Sequence, residues 1–343
     1  MTTQVAFLFP GQGSQAVGMG VDVFAASAAA RRVFETVDEA LSFPLSTLCF
    51  TGPEETLRKT INAQPAIVTV SLAYLAAFQE ALSPSSSSWS TPLTPDFTAG
   101  HSVGEFAALV AAGALNLKET ARLVRERGRL MDIEETACPG GMAAIIGLEA
   151  EPLQEVCQEA TRQLAAERAG QNSHPGQGQV IVANYNAPGQ IVISGEQKAL
   201  ALAGELAKAR GAKRVIPLSV SGAFHSPVMY PAVGGLAQAL AAADLRDAAL
   251  PVISNITATP LTRADDLRSE LAEQLAAPVQ WVRTIEYLHG AGITTFIEIG
   301  PGQALAGMLK RIVKGARIIN IGSISEVGKA AALIREIGLP GSV

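Results

Sequence analysis

The run Gly100-His101-Ser102-Val103-Gly104 restricts this chain more than any other stretch. A G-x-S-x-G pattern asks for a strand that stops abruptly, a serine on a sharp bend, and a helix that starts at once. Both flanks fit. Phe97-Thr98-Ala99 reads as a strand, and residues 103–114 have the small, apolar composition of a helix. Such a bend exposes the Ser102 hydroxyl and turns the free N–H groups of the helix start toward whatever reacts there. Alone the pattern is weak, because Gly and Ser are common in loops; the strand and helix around it give it weight.

The remaining periodicities describe an α/β frame. Val5–Phe9 reads as a short buried strand closed by Pro10-Gly11, and helical patterns follow around 27–41 and 64–82. The Ser- and Pro-rich stretch 83–95 reads as a surface loop. From Cys138-Pro139-Gly140-Gly141 the composition shifts. Strand patterns at 142–148, 180–183, 190–194 and 214–218 interleave with helical ones at 151–168 and 198–210, and a polar loop covers 170–179. That β-α-β-β-α-β order is the ferredoxin-like motif. Residues 138–218 are thus expected to form a small subdomain inserted into a larger one made of 1–137 and 219–343. In the larger part helices and strands alternate again after 228, ending in Thr295–Ile299 and Gly300-Pro301-Gly302, which predicts a mostly parallel sheet.

Bulk properties narrow the function. With 48% hydrophobic and 17% charged residues in 343, the chain can bury a large core. Its apolar runs are broken by Gly, Pro or charge, so no membrane span is expected, and the start lacks the basic region of a signal peptide. Cys49, Cys138 and Cys157 suit neither a disulfide framework nor a metal site, which points to a reducing cytoplasm and no metal. A net charge of −5 argues against general nucleic-acid binding.

A serine needs a base to attack at neutral pH, and there are four histidines. His101 adjoins Ser102 and is expected to diverge from it and to pack or bond locally. His174 lies in the polar loop, where solvation is the default. His289 sits before Gly290 at an expected helix end. His225, in the bend Ser221-Gly222-Ala223-Phe224-His225-Ser226-Pro227, is by elimination the best base. A different argument singles out Arg127. On a helix begun by Asn116 as N-cap, Ala121, Val124, Gly128 and Met131 share an apolar side. Arg122, Arg125 and Arg129 fall on the solvated side, but Arg127 projects within the apolar sector. A guanidinium aimed inward needs an anion. Either an internal carboxylate supplies it, or a substrate carboxylate does.

Taken together, the motifs make the chain resemble malonyl-CoA:acyl carrier protein transacylases along nearly its whole length. The matching residues are Phe9-Pro10-Gly11-Gln12-Gly13-Ser14-Gln15, Gly100-His101-Ser102-Val103-Gly104-Glu105, Arg127-Gly128 with Met131, and the strand 142–148. They continue through residues 184–190, Gly222-Ala223-Phe224-His225-Ser226, Pro278-Val279-Gln280-Trp281 and Glu298-Ile299-Gly300-Pro301-Gly302. The resemblance implies a hydrolase-like α/β subdomain, a ferredoxin-like subdomain and a site in the cleft between them. It implies Ser102 as nucleophile, His225 as base, Arg127 as partner of the malonyl carboxylate, and the Gln12 and Val103 amides as oxyanion hole. It further implies that the Gln274 backbone carbonyl orients the histidine and that Phe224 favours malonyl over methylmalonyl groups. Malonyl-CoA and an acyl carrier protein would be the partners, with no cofactor and a monomeric enzyme. Carrier proteins of this kind are acidic, which nominates Lys310, Arg311, Lys314 and Arg317, or Arg210, Lys213 and Arg214, as a docking surface. Loops 83–95 and 170–179 are longer than the family pattern. Two rivals stand beside this reading: a serine hydrolase, for which Asp265 or Asp266 with His289 would complete the conventional order, and a non-catalytic partner subunit.

Overall fold

In a computed structural model, residues 4–82, 93–165 and 174–337 are described. The Ser-rich stretch 83–92 and the first part of the polar loop lie outside them. Two separate sheets carry the fold.

The larger sheet has the order β10-β9-β1-β2-β7-β8. Its strands are β1 (Val5–Phe9), β2 (Phe97–Gly100), β7 (Val252–Ile253), β8 (Pro260–Leu261), β9 (Thr295–Ile299) and β10 (Arg317–Ile321). All neighbours run parallel except β7 and β8. Central parallel strands are covered on both faces, so they read as unbroken apolar runs; every residue of β1 and β9 is buried. The smaller sheet contains β3 (Gly140–Ile146), β4 (Val180–Ala187), β5 (Gln190–Glu196) and β6 (Arg214–Pro217). It is antiparallel in the order β4-β5-β3-β6, the ferredoxin-like arrangement, with the Ala150–Gln163 and Gln197–Ala209 helices packed on one face.

The sequence reading that apolar runs are too broken to span a bilayer needs correction. Residues Thr60–Leu82 form one continuous helix with Pro65 inside it, long and apolar enough to cross a membrane. Pro65 lies early enough in the helix that its missing N–H costs one backbone bond near the end. The helix serves the fold instead, since 83% of its apolar window is buried inside the protein.

The two sheets are joined by more than their connecting chain. The Tyr185 amide donates to the Val279 carbonyl at 2.9 Å, and the Val279 amide donates to Ala183 at 2.8 Å. Arg311, on the Ala304–Ile312 helix of the larger part, donates to Gln190 and to the Pro188 carbonyl in the β4–β5 turn.

The larger sheet presents three loops at the C-terminal ends of adjacent strands: Pro10–Ser14 after β1, His101–Val103 after β2, and the 300–303 turn after β9. In open α/β sheets this edge, where the strand order switches direction, is where ligands bind. The bend after β2 depends on bare backbone contact. A Cβ on Gly104 would come within 2.3 Å of the Phe9 carbonyl oxygen, and one on Gly100 within 2.0 Å of Gly104 itself. Gly104→Ala is expected to destabilise the protein by roughly 3 kcal/mol, as overpacking against backbone does. Urea unfolding checks this; a loss within error of zero would mean that the bend can open without cost.

Candidate active site

The bend forces Ser102 into the left-handed region at φ 52°, and His225 is held there too, at φ 57°. Non-glycine residues in that region cost about 1–3 kcal/mol each and persist only where their surroundings fix them. The surroundings of Ser102 are specific. Asn255, just beyond β7, accepts the Ser102 N–H on Oδ1 at 2.7 Å and donates from Nδ2 to the Gly100 carbonyl at 2.7 Å. The Glu270 carboxylate holds that turn by accepting from Ser254 Oγ and the Ile256 amide.

Ser102 Oγ lies 2.7 Å from His225 Nε2. On the other side of the ring, Nδ1 is 2.8 Å from the Gln274 carbonyl and 3.2 Å from that of Ala277. Carbonyls only accept, so Nδ1 carries the proton and Nε2 presents its lone pair to the serine. Among the described residues no carboxylate bonds the ring. Burial, with the Arg127 charge second, pushes the His225 pKa down to about 3, against the bonding of its N–H to Gln274. At neutral pH the imidazole is uncharged.

Arg127 is wholly buried. Its Nη1 donates to Gln64 Oε1 at 2.7 Å; its Nη2 donates to Gln274 Oε1 at 2.9 Å and to Ser102 Oγ at 3.2 Å. All three acceptors are neutral. Of the two outcomes open to a buried guanidinium, pairing with an internal carboxylate is not realised among the described residues. Burial brings its pKa down to about 10, which leaves it charged.

A cleft of about 230 Å³ opens over this group, between the two sheets. Gly11, Gln12, His101, Ser102, Val103 and His225 line it from the larger part, with Met142, Asn184, Asn186 and Val192 from the smaller. Phe224 adds a nearly buried ring beside the histidine. Arg127 borders the cleft through its acceptors: Ser102 and Gln64, both bonded to its guanidinium, line the wall. In the bend, the Ser102 amide is committed to Asn255 and the Gly104 amide to the His101 carbonyl. Val103, between them, and Gln12 both line the cleft.

Other candidates sort out plainly. His101 packs, as one of its two expected outcomes had it, with its ring against Trp281; its hydrogen bond is long-range, from Nε2 to Asn186 Oδ1 of the small sheet at 2.8 Å. His174 is not solvated; its Nε2 is 3.0 Å from Glu134 Oε2 and both side chains are largely covered. Arg125 is half-buried over the Phe43 ring rather than fully solvated. His289 is exposed, and Asp265 and Asp266 lie at the start of a surface helix beside Arg268 and Arg263. The hydrolase order built on them is therefore not assembled. Among the described residues, no group of three or more His, Cys, Asp or Glu side chains is placed to hold a metal ion. Of the basic clusters, Arg210 is paired with Glu155 and Glu159, and Arg311 is tied to the small sheet. Lys310, Lys314, Arg317, Lys213 and Arg214 are exposed.

Four residues of the site escape a reading for catalytic patterns: Gln64, Asn255, the side chain of Gln274, and Glu105, which is fully buried. Gln64 and Glu105 left a signal. Glu105 is the one charged residue of an apolar helix, and Gln64 opens the long apolar run of another; both, like Arg127, are polar groups in buried surroundings.

The whole arrangement has known counterparts. A family model described as the acyl transferase domain matches residues 6–334. The malonyl CoA-acyl carrier protein transacylase of Bacillus subtilis (strain 168) is 44% identical over 335 residues, 97% of this chain and 98% of its own. The solved structure of the same type of transacylase from Coxiella burnetii superposes with a TM-score of 0.86 at 36% identity, covering 97% of this chain and 98% of that one. A malonyl-transacylase solved in complex with its type II polyketide synthase acyl carrier protein matches with a TM-score of 0.86 at 36% identity, over 96% and 100% of the two chains.

The buried imidazole has a thermodynamic signature. In the unfolded chain it takes a proton near its ordinary value of 6.5, whereas the folded site keeps it neutral down to about 3. Acidification through that window protonates only the unfolded chain, so stability present above 6.5 is lost as pH falls. His225→Gln is expected to lose less stability than the wild type between about pH 6.5 and 4, by a slope of up to one proton. Urea unfolding at matched pH checks it; equal acid sensitivity would mean that the folded imidazole charges freely.

Proposed function

This chain belongs to the malonyl-CoA:acyl carrier protein transacylases of the acyl transferase family, and from that premise we propose how its residues carry out the reaction. The enzyme moves a malonyl group from malonyl-CoA to the phosphopantetheine thiol of an acyl carrier protein, a loading step for fatty-acid or polyketide synthesis. One observation carries the assignment of roles. A serine hydroxyl is held between an imidazole nitrogen that has no proton and a guanidinium that has no anion.

In the first half-reaction His225 Nε2 takes the Ser102 proton as Oγ attacks the thioester carbon. The carbonyl oxygen becomes an oxyanion received by the Gln12 and Val103 amides, each such donor being worth roughly 3 kcal/mol in the transition state. The tetrahedral intermediate collapses, the C–S bond breaks, and the CoA sulfur leaves with the proton from His225. The malonyl ester stays on Ser102 with its free carboxylate against Arg127, whose planar fork suits it. In the second half-reaction the carrier thiol gives its proton to His225 and attacks the ester carbon, and Ser102 leaves with that proton. The Arg127 charge weakens the base in the empty site. A bound malonyl carboxylate cancels that charge, so the proper substrate strengthens the base that acts on it.

Phe224, beside the histidine, crowds an α-methyl group. A single methyl is worth only about 1–3 kcal/mol in a pocket, so the preference for malonyl over methylmalonyl is modest. The acidic carrier docks at Lys310 and Lys314, on and just after the helix whose Ala304, Leu305 and Met308 line the cleft. Charge reversal there should weaken carrier use and spare malonyl loading. In this reading the enzyme works as a cytoplasmic monomer, in keeping with three buried free thiols and few exposed large apolar side chains among the described residues.

Intact-protein mass spectrometry after brief exposure to malonyl-CoA or acetyl-CoA tests the assignment. Malonyl is expected to load on Ser102 and to be discharged by carrier protein. Arg127→Ala should cut malonyl loading roughly a hundredfold, the scale for losing a buried charge-assisted pair, and His225→Ala should slow it by about 10²–10⁴. Acetyl loading equal to malonyl, or hydrolysis in place of transfer, would favour an editing hydrolase. Because the base must be neutral and its pKa is depressed in the free enzyme, kcat/KM for loading should show no acid limb near its ordinary 6.5. A limb at that pH would place the base elsewhere.

A further inference from the structure

We propose that the Gln274 carboxamide is an insulating, specificity-determining positioning group: it stands between the Arg127 guanidinium and the Glu105 carboxyl, bonds both, and so prevents their pairing. Arg127 is thereby kept for the substrate's carboxylate. The inference rests on the malonyl reading above and concerns how selectivity is held inside the protein.

The contacts are direct. Gln274 Oε1 accepts from Arg127 Nη2 at 2.9 Å, while its Nε2 donates to Glu105 Oε2 at 2.5 Å and to the Ser102 carbonyl at 3.2 Å. Arg127, Gln274 and Glu105 are all fully buried. A buried cation with a carboxyl in reach ordinarily pairs with it, because attraction then offsets two desolvation costs. Glu105 is near enough for its charge to be felt at Arg127, yet the guanidinium's bonds go to Gln64, Gln274 and Ser102. The other Glu105 oxygen, Oε1, has no hydrogen-bond partner. The Gln274 carboxamide bonds both groups and so bridges them. A carboxamide suits the task, since it accepts at one end and donates at the other without carrying charge.

Two further features support this. Burial, with Glu270 nearby, holds the Glu105 carboxyl well above the usual range, which favours its neutral form. Direct pairing with Arg127 would draw Glu105 toward its charged form, and the intervening carboxamide opposes that pairing. The Gln274 backbone carbonyl, apart from its side chain, orients His225. Replacing the Gln274 side chain therefore leaves the histidine's acceptor in the main chain, and the two contributions of this residue can be tested apart.

The readout is the ratio of malonyl to acetyl loading on Ser102, measured by mass spectrometry at varied acyl-CoA concentration. Gln274→Leu is expected to lower that ratio about tenfold, a size usual for directly coupled neighbours, through a higher half-saturating malonyl-CoA concentration. Adding Glu105→Gln, which removes the competing carboxyl, is expected to restore most of the ratio. Gln274→Glu, nearly the same size, sets a carboxylate directly on Arg127; its loss should not be restored by Glu105→Gln. Thermal melts of each variant separate unfolding from altered selectivity. A double variant no better than Gln274→Leu would overturn the proposal, as would an equal fall in malonyl and acetyl loading in both Gln274 variants. A wild type that never loads malonyl would instead defeat the reading of the reaction, and this inference with it.

Discussion

The rest of the site is arranged around a positive charge placed inside the protein without a negative one bonded to it. A guanidinium taken out of water costs several kcal/mol even after relaxation. Here Gln64 and Gln274 recover part of that with two hydrogen bonds, and the serine oxygen adds a third. The guanidinium Nε keeps no partner at all. Such incomplete satisfaction is costly in an idle protein and useful in one whose ligand brings an anion. The cost is met by the packing around it: the Thr60–Leu82 helix that carries Gln64 is nearly all core, and the helix bearing Arg127 packs closely along it.

A second expense sits at the bend. Ser102 and His225 both adopt conformations that their side chains disfavour, and the two strained residues face each other across 2.7 Å. Each is held by neighbours from distant parts of the chain. Asn255 grips the serine's backbone, and the His225 amide donates to Leu275, one residue past the carbonyl that fixes its ring. The Ala264–Glu273 helix coordinates the two grips, since Glu270 steadies the Asn255 turn and Gln274 follows at its end. One short helix thus sets the attitude of nucleophile, base and carboxylate receptor together.

Much of this was legible in the residues. The parallel strands announced themselves as short, wholly apolar runs, and the order of elements between 140 and 217 spelled out the antiparallel sheet. Arg127 was visible as a charge on the wrong side of a helix. What stayed hidden was of two kinds. Polar residues such as Asn255 and Gln274 act through backbone and amide contacts to partners over a hundred residues away, which no local pattern encodes. His174 and His101 looked like loop residues because their partners, Glu134 and Asn186, come close only once separate elements have packed. The reading of broken apolar runs erred in the other direction, since Pro65, near the start of the long buried helix, interrupts very little.

The backbone bonds between the small sheet and Val279 bear on how cargo is exchanged. They extend the antiparallel sheet, through its β4 edge, into the chain segment that follows Gln274 and Ala277, the two carbonyls holding the histidine. A rocking motion that widened the cleft would shear those bonds and drag on the base. The joint between the sheets and the aim of the base are thus mechanically tied. Both the coenzyme and the carrier present their thiol on the same slender pantetheine arm. Either thiol therefore meets a base whose aim is tied to the joint between the sheets.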